Sequence, residues 1–185
     1  GKDGARSSKR TDVLNDLTIS KVLKPLAKAG WEFKTEQRII CSRGEKFKID
    51  IVGYYNGQAK LYVLLKAVQS SYNKNRHNYA NGTIGEPTRI FGKNKLNGVT
   101  LVSIDWIPYQ VPAPTKDNKN KIETTKPPDL SSAEEMCNFS LSRYGHTDCL
   151  VRFVKIRFDY KNGKIDNICK KGIETLNKTL KKVLS

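Results

Sequence analysis

Residues 46–68, KFKIDIVGYYNGQAKLYVLLKAV, limit the possible folds of this chain more than any other stretch. Phe47, Ile49 and Ile51 alternate with Lys48 and Asp50, and Leu61, Val63 and Leu65 alternate again beyond Asn56 and Gly57. Two period-two runs joined by Asn-Gly predict a β-hairpin, because both turn residues must take a positive φ to match the strand twist. Residues 61–65 are apolar at every position, which predicts an inner strand covered on both faces. The run GVTLVSIDWIPY, residues 98–109, predicts a further buried strand. A sheet therefore forms the centre, and the remaining chain has to cover it.

The flanking segments supply that cover. From Thr11 onward, Val13, Leu14, Leu17, Val22, Leu23, Leu26 and Ala27 recur at helical spacing. Thr11 or Asp12 suits the helix start. Pro25 predicts a kink or a division into two short helices, and Gly30 ends the unit. Residues 31–40, WEFKTEQRII, alternate as a half-buried strand. Residues 67–90 are polar and aromatic with Gly82 and Gly85, and they predict an irregular segment, with a short helix over 88–97. The prolines of 111–132 predict a linker or exposed loop, and Ser132 to Glu135 a helical turn. Residues 149–160, CLVRFVKIRFDY, read as a strand, followed by a turn at 161–164. Ile168, Ile173, Leu176, Leu180 and Val183 then share one face of a basic helix. The fold class is α/β (α+β), with a mixed central sheet and flanking helices. The expected divisions are a disordered basic arm at 1–10, a core at 11–110, a linker at 111–132 and a C-terminal strand and helix at 133–185.

Charge narrows the function. The chain has 34 Lys and Arg against 18 Asp and Glu, a net +16. That excess implies an anionic partner, such as nucleic acid, a sulfated glycan or acidic lipid. Tyr72, Lys74, Arg76, Tyr79, Arg89, Lys93 and Lys95 mix cations with rings and are the candidate polyanion contacts, beside His77. Arg76 and Arg89 lead, because a guanidinium offers a planar fork to two phosphate or sulfate oxygens. Lys170, Lys171, Lys178, Lys181 and Lys182 read as a solvated helix face. His146 stands near Asp148, but no nucleophile accompanies it, so both histidines read as surface groups. No run of about 18 apolar residues occurs, so no transmembrane helix is expected.

Cys41, Cys137, Cys149 and Cys169 fit no zinc spacing. With the sequons at Asn81, Asn138 and Asn177 they support an alternative: a secreted, glycosylated, disulfide-bonded basic protein that binds or inhibits an extracellular host protein or glycan. Pairings Cys149–Cys169 and Cys41–Cys137 are preferred, with Cys41–Cys149 plus Cys137–Cys169 and Cys41–Cys169 plus Cys137–Cys149 left open. The compartment stays open between secreted and intracellular or organellar.

The order helix, strand, hairpin, basic segment, buried strand resembles the core of the PD-(D/E)XK nuclease-like superfamily, the restriction-endonuclease-like fold. Within it, TRIFGKNKLNGVTLVSIDWIPY, residues 88–109, is similar to a phrase of the RAP domain, a nuclease-like module of organellar RNA-binding proteins. The resemblance covers roughly residues 12–109. It implies that Asp50 and Lys66 take the positions of the nuclease carboxylate and lysine around Mg²⁺. Leu64 stands where the second metal-binding carboxylate is expected, and leucine cannot bind magnesium. Glu36, Glu32 or Asp16 would have to replace it, with Gln69 a weak oxygen donor. The resemblance therefore implies a non-catalytic, RNA-binding or other nucleic acid-binding protein without cofactor on a nuclease-like scaffold. The further alternative is a metal-dependent nuclease with Asp50, Lys66 and Glu36 as its catalytic groups and Asp50 as its metal ligand.

Overall fold

The Asn56-Gly57 turn closes the hairpin as its sequence requires, with φ of 50° and 73°. A computed structural model describes residues 8–41, 44–67, 72–91, 98–112, 122–124, 150–161 and 164–184. The hairpin joins β2 (Lys46–Tyr55) to β3 (Gln58–Ala67). β1 (Glu32–Ile40) pairs antiparallel with β2, and β4 (Thr100–Pro108) lies parallel to β3. β5 (Gln110–Pro112) and β6 (Ile122–Thr124) form a small separate sheet. β7 (Leu150–Lys161) runs parallel to β4, and β8 (Lys164–Ile168) pairs antiparallel with β7. The main sheet is six-stranded, in the order β1-β2-β3-β4-β7-β8. This is a mixed α/β fold. The C-terminal strand is thus an inner member of the main sheet.

Two cores lie on the two faces. The larger buries Ile51, Leu61, Val63, Val102, Ile104, Trp106, Val154, Ile156 and Phe158 under the N-terminal helical unit and the C-terminal helix. That unit is α1 (Ser8–Leu17), a π-helical turn at Thr18–Val22 and α2 (Lys24–Lys28). Pro25 lies in the first turn of α2, where its missing N–H costs nothing. Thr18 marks the π turn. Its hydroxyl donates to the Leu14 carbonyl at 2.7 Å and accepts the Trp106 indole N–H at 3.2 Å, so it fastens the helix to β4. The C-terminal helix, α4 (Lys170–Leu184), inserts Leu176 and Leu180.

The smaller core gathers Ile49, Val52, Tyr62, Leu64, Val99 and Leu101 under Ile90 and Phe91 of α3 (Tyr72–Phe91). Here the structure corrects the sequence reading: described residues 72–91 form one helix. Ile84, Pro87, Ile90 and Phe91 recur at helical spacing and turn an apolar end toward the sheet. That burial outweighs the helix-weakening Gly82, Gly85 and Pro87. Thr88 is in the last turn of this helix, while 92–97 lie outside the described residues. α1 likewise begins at Ser8, within the expected arm, so Thr11 and Asp12 sit inside it. Within the expected linker, 110–112 and 122–124 pair as strands. The expected helical turn at 132–135 lies outside the described residues.

The disulfide expectation is overturned. Cys41 and Cys169 are free thiols. Cys41 is buried at the exit of β1, where its N–H donates to the Glu45 carbonyl. Cys169 opens α4 at the other edge of the sheet, beside Tyr109. Their places at opposite edges explain why neither bonds the other. Cys137 and Cys149 lie outside the described residues. Asn81 and Asn177 fall within helices α3 and α4, and Asn138 is outside the description.

Candidate functional site

The alternation that predicted β2 breaks at Asp50. Ile51 packs in the larger core and Ile49 in the smaller, although period two would place them together. The β1–β2 register runs Thr35↔Ile51 and Gln37↔Ile49 and passes over Glu36 and Asp50. Glu36 has a φ of 57°, a left-handed backbone that a long side chain rarely adopts. The β2–β3 ladder stops at the same level, with Ile51↔Val63 as its last pair. Beyond it β2 leaves β3, and the Leu65 N–H donates to Asp50 Oδ2 at 2.7 Å. A carboxylate thus replaces the missing strand partner and ends the ladder in a fork.

Charged groups gather at this fork. β3 brings Lys66, which pairs with Glu86 of α3. β4 brings Asp105, which lies opposite Lys66 on one side and Lys155 of β7 on the other. β1 brings Glu36, which pairs with Lys48. Asp105 is only 3% exposed, and its Oδ1 finds no hydrogen-bond partner among the described residues. The same holds for Glu86 Oε2, Glu36 Oε1 and Ser103 Oγ. Burial pushes the Asp105 carboxyl up to about 6, against the pull of Lys66 and Lys155, with Glu86 pushing the same way as burial. Burial also raises Asp50. The Leu65 N–H and Lys66 oppose that rise, and Glu36 and Glu86 add to it. The place is one of partly neutralised carboxylates at the carboxyl ends of parallel strands, where open α/β sheets present their ligand crevices.

The structure brings three sequence-selected residues, Asp50, Lys66 and Glu36, to this point. Glu86 and Asp105 escaped the sequence reading. Asp105 had a signal, a lone acid in an otherwise apolar strand. Glu86 had none, because only the packing of α3 delivers it. Leu64 is 2% exposed in the smaller core, so its apolar character answers to packing. Among the described residues, no group of three or more His, Cys, Asp or Glu side chains is placed to hold a metal ion. The donor set therefore does not fit the Mg²⁺ centre that the nuclease resemblance implies.

The polyanion candidates divide. Arg89 lies in the last turn of α3, and its guanidinium donates to both Glu45 oxygens, at 2.6 and 3.1 Å, over the Phe47 ring. Its fork is therefore occupied by an internal carboxylate. Tyr72, Lys74, Arg76, His77 and Tyr79 belong to α3, but their side chains lie outside the described set. Lys93, Lys95, Gln69 and His146 lie outside the described residues altogether. No described helix is long and apolar enough to cross a membrane.

Comparison with known proteins adds little. No family model matches the chain, and no curated protein does. Among solved structures, SfsA of Pyrococcus furiosus in complex with Ca²⁺ is similar over 88% of this chain and 62% of that chain, at 14% identity and a TM-score of 0.39. The chain thus spans less than two thirds of that protein's length, and a likeness so slight assigns neither a family nor a function.

Proposed function

We propose that this chain is a non-catalytic binding protein for nucleic acid or a similar polyanion, built on a nuclease-like scaffold. One observation carries the reading: the net charge of +16. Even if every carboxylate had a basic partner, sixteen cations would remain for an outside anion. The described ion pairs sharpen the point. Lys48, Lys66 and Arg89 are engaged by Glu36, Glu86 and Glu45, while Lys21, Lys24, Lys28, Lys34, Arg38 and Lys46 stay exposed. A non-catalytic role agrees with the fork chemistry, where Lys66 is held by Glu86 and Leu64 is a core residue.

Binding to labelled DNA, RNA and heparin across a salt series tests the proposal. Each phosphate contact releases counterions, so affinity should fall steeply, by several powers of ten for six to ten contacts over a fourfold rise in salt. An affinity that ignores salt would refute it. In the same assay Arg76→Ala with Arg89→Ala should weaken binding by about tenfold, with a smaller loss per charge for Lys181→Ala with Lys182→Ala.

A further inference from the structure

The hairpin turn lies at the opposite end of β2 and β3 from the fork, and it carries a feature that the charge argument does not use. Tyr55 is 42% exposed, one of three large hydrophobic side chains left in contact with water. The other two, Val13 and Ile40, are aliphatic. Tyr55 is held from behind: its ring stacks on Trp31, with centroids 5.3 Å apart and planes 26° from parallel. Trp31 is itself buried in the larger core.

The backing layer depends on Gly53. A Cβ there would come within 3.1 Å of both Leu61 Cβ and Phe33 Cε1, and 3.3 Å of the Trp31 ring. Without it, Trp31 and Phe33 close over the strand. The positive-φ turn at Asn56-Gly57 follows immediately and fixes where the ring stands. One ring face is spent on Trp31, and the exposed part is rigid and apolar.

Cations flank the platform. Lys34 lies over the neighbouring Tyr54 ring at 5.2 Å. Lys60 interrupts the β2–β3 register next to the turn, where Gly53↔Leu61 gives way to Tyr54↔Ala59. Lys28 is exposed at the end of α2, three residues before Trp31. Glu32 is the acid at this end of β1. A pre-set aromatic surface beside lysines suits a ligand with both an exposed flat ring and a phosphate. Single-stranded nucleic acid has both, whereas duplex bases already stack on each other.

We propose that Tyr55, backed by Trp31 and flanked by Lys34 and Lys60, is a base-stacking step that makes this chain prefer single-stranded nucleic acid. The inference rests on the polyanion reading above and adds a ligand class to it. Anisotropy titrations with a labelled oligothymidylate and a mixed-sequence duplex of equal length test it at one salt concentration. Tyr55→Leu should weaken the single strand by about tenfold and leave duplex affinity and thermal midpoint unchanged. Tyr55→Phe keeps the ring and should bind as the parent does. Unchanged single-strand affinity in Tyr55→Leu overturns the stacking step while the polyanion reading survives. So does an equal loss for both ligands. A parent protein that binds neither oligonucleotide nor heparin overturns both.

Discussion

β4 separates two faces that are equally buried and differently built. Toward the larger core it presents Val102, Ile104 and Trp106, all 0% exposed. Toward the other face it presents Leu101, then Ser103 and Asp105, also nearly sealed from water. The first face is apolar throughout and gains from every ångström it buries. The second gives up that gain over half its length to hold charge beside Lys66, Lys155 and Glu86. Burial alone therefore does not mark the stabilising part of this fold. The polar half holds oxygens without hydrogen bonds, and such groups cost stability unless a proton or another partner relieves them.

The comparison can be broken most sharply at Trp106. Its ring meets Phe158 edge-on, with centroids 5.8 Å apart, and its indole N–H reaches Thr18. Trp106→Ala should cost about 3–5 kcal/mol in urea denaturation, enough to threaten folding. A loss under about 1 kcal/mol would show that the apolar face does not dominate stability.

Asp105 tests the opposite face. Its carboxyl binds a proton more tightly in the folded chain, at about 6, than at its ordinary 3.8. Between those values the folded state holds more protons than the unfolded state, so stability should fall as pH rises from about 4 to 6 and then level. The full effect is at most about 3 kcal/mol. Asp50, also raised, contributes with the same sign. Asp105→Asn should flatten most of this fall and leave the variant more stable than the parent at pH 8. Denaturation at a series of pH values checks it, and a parent profile that rises through this window contradicts the assignment.

A smaller effect separates the two jobs of Asp50. Asp50→Ala leaves the Leu65 N–H without its acceptor and should cost about 1–3 kcal/mol. Asp50→Asn keeps an acceptor oxygen and should cost less than half as much. Equal losses would mean that the charge, and not the strand-ending hydrogen bond, matters there. The smallest effect belongs to the fork's outer edge. Lys48 is half exposed in its pair with Glu36, and Lys48→Ala should cost less than about 1 kcal/mol by chemical denaturation. A larger loss would extend the buried network out to β1.

The hairpin and the inner position of β3 were legible because Asn56-Gly57 and the apolar run 61–65 are local signals. The break at Pro25 was equally local. α3 was misread because its polar length hides an apolar end, where Ile84, Pro87, Ile90 and Phe91 matter only against Tyr62, Leu64 and Leu101. Asp50 and Lys66 were visible as candidates. Glu86 was not, because a helix residue reaches a strand twenty positions away only through packing. The disulfide reading failed for a related reason: cysteine number says nothing about which edge of a sheet each thiol occupies.

The sequence by itself determined the sheet, its hairpin and the surplus of positive charge. Period, turn chemistry and net charge are properties of neighbouring residues or of plain addition. Tertiary structure alone decided that Ile49 and Ile51 part to opposite cores and that Asp50 ends a ladder. It also sealed Asp105 between two lysines and backed Tyr55 with Trp31. Each of these depends on which strands and helices meet, and the free energy of that meeting is shared among residues far apart in the chain.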